Sequence, residues 1–433
     1  MRYAAVVGLV GIVAAAVAAR MPDAPSGFDN KSNGMVDDAT HQADLKTFDE
    51  VEALDDGLGP LYNAQSCREC HQNPVSGAAS QITELRVGHR DPDGRFQEPR
   101  IPIARGTVII AGRTLVNDRA ICPNGQFPDT EIQERVPLTE TIRTTRVSLN
   151  LLGDGFVEAV PDQTLIELAG RQPGESRGKI RGHVIYVPIL EAPGQTGVGR
   201  FGWKDQQASL LSFSGDAYLN EMGITSRLFP DEVTTLCNTA QEPNNRPDSD
   251  GLEDIDHFTR FMRAAKAPPR DAVLAAAPSA VRGSRLFDSI GCAICHVQSL
   301  TTAPAGTKIN GGTFTIPAAL GGKAFHPFSD FLLHDVGTGD GIAIAAQEHY
   351  GQKMRTIRWK NLSMQALQDT ANKIRTAPLW GVRVQNRLMH DGASLTFLDA
   401  ILRHKGEASE VTERFRRLSH AQKEDLFQFL RSL

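Results

Sequence analysis

The chain has 433 residues, of which 40% are hydrophobic and 22% charged, with a formal net charge of -5. That size allows two or three domains with real cores, and the lack of any basic stripe argues against a nucleic-acid partner. The weak acidic balance is compatible with a basic redox partner but does not select one.

The first twenty residues, MRYAAVVGLVGIVAAAVAAR, place one arginine before an apolar run from Ala4 to Ala19 that ends in small residues. This pattern predicts a cleaved signal peptide over 1–20, hence a periplasmic protein with no stable membrane insertion. An uncleaved anchor is the alternative, because the run is only slightly shorter than the roughly 17–25 residues of a spanning helix. After a polar segment, Leu45, Phe48, Val51, Leu54 and Leu58 recur at helical spacing over 41–58. Next comes AQSCRECHQN, with Cys67, Cys70 and His71. From about 81 to 200, short β-branched runs bounded by Gly and Pro (RIPIARGTVIIAGRTLV and KIRGHVIYVPIL) predict a few short strands.

Helical patterning returns over 207–223, a turn-rich loop follows over 237–251, and an Ala/Pro-rich linker is expected around 264–280. A short helix capped by Ser279 then leads to GCAICHVQS, with Cys292, Cys295 and His296. The chain closes on a helix whose capping box is Ser419 and Gln422 and whose apolar stripe is Leu426, Phe429, Leu430 and Leu433. A faint repeat relates the halves. IRTTRVSLNLLG and RFGWKDQQASLLSF in the first are echoed by KIRTAPLWGV and RLMHDGASLTFL in the second.

A Cys-Xaa-Xaa-Cys pair can hold zinc, cycle as a dithiol, or carry a c-type haem when a histidine follows at once. Zinc wants further ligands at close spacing, and a dithiol needs no histidine there. Recurrence of the whole motif in an exported chain points to two covalently attached haems, with His71 and His296 as proximal iron ligands. Of the six cysteines, Cys122 and Cys237 remain outside the motifs. In an oxidising compartment they are expected to pair; two buried thiols are the alternative.

HPFSDFLLHDVGTGDG, KIRTAPLWGVRVQNRLMHDGASLTFLDAILRHKGEA and the closing helix resemble the carboxy-terminal domain of the bacterial di-haem cytochrome c peroxidase and MauG superfamily. They resemble most its branch of di-haem oxidoreductases, also labelled thiol oxidoreductases. SLNLLGDGFVEAVPD and RFGWKDQQASLLSFSGDAYLNEMGITSRLFP are similar to that branch's amino-terminal half. The resemblance implies a mainly α fold. Two cytochrome c-like haem domains would span 21–265 and 266–433, the first with a β-containing insertion around 81–200.

It also implies ligands. His404 stands where related peroxidases place a methionine on the carboxy-terminal iron, so a bis-histidine haem of lower potential is expected there. For the amino-terminal iron, His89 and Met222 are candidate sixth ligands and an open position is the alternative. The family's distal glutamate has no counterpart beside Leu210 and Leu211. Glu158, among apolar neighbours, could carry a raised pKa suited to proton delivery, and Glu221 is a second candidate; a structural carboxylate is the alternative for both. Trp203 could relay electrons between haems or simply fill core. His326 and His334 read as contacts near a haem or as core. An interdomain calcium ion is a further implication, without assignable ligands.

The expected function is an exported di-haem c-type oxidoreductase that exchanges electrons with a small redox protein or cytochrome and oxidises a substrate, peroxide included, at one haem. Two alternatives stay open. One is a pure electron-transfer cytochrome with both irons six-coordinate; the other is MauG-like oxidation of residues on a partner protein.

Overall fold

The computed structural model describes residues 21–231, 236–237, 240–344, 348–350, 353–355 and 363–433. The expected signal peptide over 1–20 lies outside them. No helix among the described residues is long and apolar enough to cross a membrane. Among the described residues helix outweighs strand, so helix dominates the regular structure.

The first long helix, Asp38–Asp49, is capped by the Asp37 side chain, which accepts from the Thr40 amide at 2.7 Å. It buries Leu45 and Phe48 against the helix Asp254–Ala264. It is shorter than the apolar spacing suggests. After Asp49 the Glu52 amide donates to the Gln65 carbonyl at 2.7 Å, which turns the chain and leaves Val51 exposed.

The expected strands are present. Ile101–Ile103 pairs with Val108–Ile110, and Tyr186–Pro188 with Thr196–Val198, both antiparallel. A three-stranded sheet has Thr83–Arg90 at its centre, flanked by Phe96–Gln97 and Ile142–Val147. Side chains alternate along a strand, so Leu85 and Val87 pack into a separate core with Leu61, Ile101, Ile103 and Ile110 while Glu84 and Arg86 point the other way. Cys122 and Cys237 close a disulfide on this core across a separation of 115 residues. The insertion also holds the helix Asp162–Glu175, which the β-rich reading of that stretch did not anticipate.

Helix Leu210–Met222 matches the expected pattern, with Ser209 as its cap. The stretch expected to be a linker is partly helical. Ala272–Ala276 forms a short helix and Pro278–Ile290 a longer one, capped at Ala277 rather than Ser279. The reason is Pro278: its fixed φ and missing N–H suit the first helical position, so the helix starts one residue before the serine can cap it. Gly291, at φ 102°, ends it. The closing helix His420–Arg431 carries the Ser419–Gln422 capping box and packs along Pro278–Ile290.

The largest core crosses the sequence midpoint, bringing Leu45, Phe48, Phe156 and Phe261 together with Phe325, Phe331 and Trp380. A second core, including Phe287, Phe415, Leu426 and Phe429, belongs to the carboxy-terminal part.

The faint repeat has a structural counterpart. Phe201 bridges Gln207, and Leu388 bridges Ser394, in equivalent antiparallel loops. The halves also exchange matching backbone bonds: the Val147 amide donates to the His390 carbonyl at 2.8 Å, and the Arg375 amide to the Trp203 carbonyl at 2.9 Å. These bonds place Trp203 and His390, at equivalent points of the repeat, edge to face with ring centroids 6.1 Å apart.

Candidate functional site

Each Cys-Xaa-Xaa-Cys-His motif is a single tight turn. Cys67–Cys70 forms one helical turn capped by Ser66, and the His71 amide closes it by donating to the Cys67 carbonyl at 3.0 Å. In the second motif the His296 amide donates to the Cys292 carbonyl, also at 3.0 Å. All four thiols are free, and burial pushes Cys70 and Cys292 up to about 12.

The first motif opens on a cavity lined by Cys67, Cys70, His71, Glu221, Met222 and Trp203. The second opens on a largely apolar cavity lined by Cys292, Cys295, His296, His334, His404 and, again, Trp203. Burial lowers His71 and His296 to about 4, which keeps both imidazoles neutral, as a metal ligand must be. His296 Nδ1 lies 3.0 Å from the Phe328 carbonyl and His404 Nδ1 lies 2.7 Å from the Ala400 carbonyl. A carbonyl makes each Nδ1 the protonated nitrogen and leaves Nε2 with its lone pair, the arrangement of a ligating histidine. The His71 Nδ1 is buried without a hydrogen-bond partner. Two half-buried histidines held neutral, each beside a pair of protonated thiols at the wall of a cavity, fit the donor set of a c-type haem.

Residues 129–433, well over half of the chain, match the family described as "Di-haem oxidoreductase, putative peroxidase". The chain belongs to that family. No curated protein matches this di-haem oxidoreductase. Among solved structures, hydrazine synthase of Kuenenia stuttgartiensis aligns over 100% of both chains at 13% identity with a TM-score of 0.40. The diheme peroxidase BthA from Burkholderia thailandensis aligns over 95% of this chain and 94% of its own, at 15% identity and a TM-score of 0.33. A MauG-like protein associated with microbial copper homeostasis aligns over 42% of this chain and 52% of its own, at 17% identity and a TM-score of 0.24. At those scores none of the three carries an argument about the fold.

His404 of the di-haem oxidoreductase is thus brought to the second motif's cavity and Met222 to the first. His89 is not. The strand Thr83–Arg90 directs its Nδ1 to Glu140 at 2.8 Å, outside the lining of either cavity.

Glu158 also stands apart from both linings, and its expected raised pKa is reversed. Burial would raise it, but Arg263, which grips both oxygens at 2.6 and 2.9 Å, the Leu210 amide and Asn310 Nδ2 together hold it below the usual value. The raised expectation came from its apolar sequence neighbours; the partner that overturns it lies 105 residues away. Glu221 keeps the expected property. Burial, reinforced by Glu84, pushes it up to about 8 at the cavity wall, and Asn63 Nδ2 donates to it at 3.1 Å.

Trp203 is buried, and its Nε1 donates to the Val147 carbonyl at 2.7 Å. His334 is held between Asp330 and Glu407, each at 2.9 Å. His326 is half-exposed and bonds Ser299 Oγ at 2.7 Å, away from both cavities. Several lining residues escaped the motif reading: Glu84, Arg86, Glu98 and Arg146 at the first cavity, His390 at the second. The alternation of Glu84 and Arg86 with Leu85 and Val87 was the signal available for the first two.

Proposed function

We propose that this chain is an exported di-haem c-type oxidoreductase of peroxidase type, with Cys67, Cys70 and His71 holding one haem and Cys292, Cys295 and His296 the other. The observation that carries the reading is Trp203, one buried indole that lines the cavity of both motifs. When bound, the haems supply two iron centres able to exchange electrons and to activate an oxidant.

The chain's own residues divide the remaining work. His404 would hold the carboxy-terminal haem through Nε2 while its Nδ1 is anchored on Ala400, and a second imidazole in place of a methionine would give that centre a low potential. The lining of that cavity is largely apolar. The wall at the amino-terminal motif carries more polar and charged groups, Glu84, Arg86, Glu98 and Glu221 among them. Glu221, whose proton burial retains at neutral pH, would supply a proton to a departing oxygen, and Arg86, a neighbouring charge, would offset developing negative charge. Trp203 gives electrons a buried path between the two sites. A small redox protein or cytochrome as electron partner, and the periplasm as compartment, belong to this reading.

A second reading is favoured by one observation: Met222 is buried at the first cavity. Its sulfur as sixth ligand would leave both irons capped and the chain a pure electron carrier.

Low-temperature EPR of the fully oxidised, then half-reduced, protein separates the two. A high-spin ferric signal beside a low-spin one supports the peroxidase reading. Low-spin signals from both haems in the oxidised protein, with no high-spin signal appearing on half-reduction, overturn it in favour of electron transfer.

A further inference from the structure

Lys204, next to Trp203, is 2% exposed. Its ammonium is surrounded by oxygens of the other half: the carbonyls of Thr370 at 2.8 Å, Ala371 at 3.1 Å and Lys373 at 2.6 Å, and Asp340 Oδ1 at 2.9 Å. The second Asp340 oxygen is taken by Arg146, whose Nε lies at 2.8 Å and Nη2 at 2.6 Å. Three main-chain carbonyls and a carboxylate, all hard oxygens converging on one point, form the kind of cage that holds a calcium ion. A buried ammonium with only three N–H donors normally needs no such surplus of acceptors.

Among the described residues the group of metal-capable side chains is Cys295, Asp330 and His334, and its sulfur belongs to a haem motif and suits a soft ion rather than a hard one.

We propose that Lys204 is a tethered cation: its ammonium fills an oxygen cage between the two halves, takes the place an inorganic cation would occupy there, and so fixes the 370–373 segment and Asp340 against the backbone that carries Trp203. The chain is then independent of calcium at this junction, contrary to what the family resemblance implies. Residue 204 and Arg146 come from before the 265/266 boundary and all four cage oxygens from after it, so the ammonium does what a bridging metal would do. The consequence for Trp203 rests on the di-haem reading; the cage does not.

The test is a thermal-melting and calorimetric titration of the full mature chain with calcium chloride, with methylammonium chloride, and with a chelator. The wild-type protein is expected to keep its melting temperature under all three and to bind no calcium at this junction. Lys204→Ala is expected to melt lower and to recover most of that loss, saturably, with calcium or methylammonium; Lys204→Gln, which keeps much of the bulk, takes the same titration if the alanine variant does not accumulate. Three results overturn the proposal: destabilisation of the wild type by chelation, a variant that melts like the wild type, and a destabilised variant that neither cation restores. None of these readings involves haem chemistry, so failure here leaves the di-haem reading untouched, and failure of that reading leaves the cage testable.

Discussion

Trp203 and Val147 are joined by a 2.7 Å hydrogen bond from the indole Nε1 to the main-chain carbonyl, and the amide of the same Val147 donates to the His390 carbonyl. One residue thus orients the indole and ties it to the opposite half of the repeat. Trp203→Phe keeps an aromatic ring but leaves a buried carbonyl unpaired, which costs about 1–3 kcal/mol. Both haems should still load. Electron equilibration between them, followed by stopped-flow absorbance after mixing with reductant, should slow at least tenfold. An unchanged rate would remove Trp203 from the path.

His404 sets the character of the second site. It lies at the C-terminal cap of the helix Phe397–Arg403, and burial keeps its charged form disfavoured. His404→Met replaces an imidazole with a thioether, and methionine ligation raises haem potential. Spectroelectrochemical titration should therefore show one of two potentials moving upward while the other stays in place. Neither potential moving would mean that His404 is no ligand.

The motifs were legible because a Cys-Xaa-Xaa-Cys-His turn needs only its own five residues, and the His404 position because the family resemblance marks it. What stayed hidden is long-range pairing. Nothing near Glu158 in sequence announces Arg263, and nothing near Lys204 announces the carbonyls of 370–373 that surround it. His89 sits at a suitable distance along the chain from the first motif, yet strand geometry sends it to Glu140. The helix start at Pro278 shows the converse: a purely local rule, proline at the first helical position, outweighed the capping serine beside it.

The two glutamates make opposed predictions. Glu221→Gln keeps the shape and removes a transferable proton, so peroxide turnover should fall by about 10²-fold or more, with haem content and spectra of the reduced protein unchanged. Glu158→Gln removes the charge that Arg263 is buried against, at a cost of about 3–5 kcal/mol in stability, and should leave peroxide turnover per haem near wild type. Steady-state assays and denaturant melts on both variants decide it. A stable Glu158→Gln protein with lost turnover would return Glu158 to the chemistry.

Asp340 links stability to pH. Burial would raise its pKa, but Arg146 and Lys204 outweigh that and hold it far below the ordinary aspartate value of 3.8. A carboxylate with a depressed folded pKa contributes stability that is fully present above its unfolded value and is lost as the pH falls toward the folded one. Asp340 should therefore stabilise the protein fully at neutral pH and lose that contribution only below about pH 4, the ordinary range of the unfolded side chain. Asp340→Asn leaves two buried cations without their counter-charge and should cost about 3–5 kcal/mol at pH 7. Its acid-unfolding profile should also be shallower than that of the wild type, because one proton-linked group is gone. Paired denaturant melts at pH 7 and pH 3.5 measure both effects: the gap between wild type and variant should narrow at the lower pH. A gap that stays constant would mean that folding does not shift the Asp340 pKa, and that the Arg146–Asp340–Lys204 arrangement is held by packing rather than by charge.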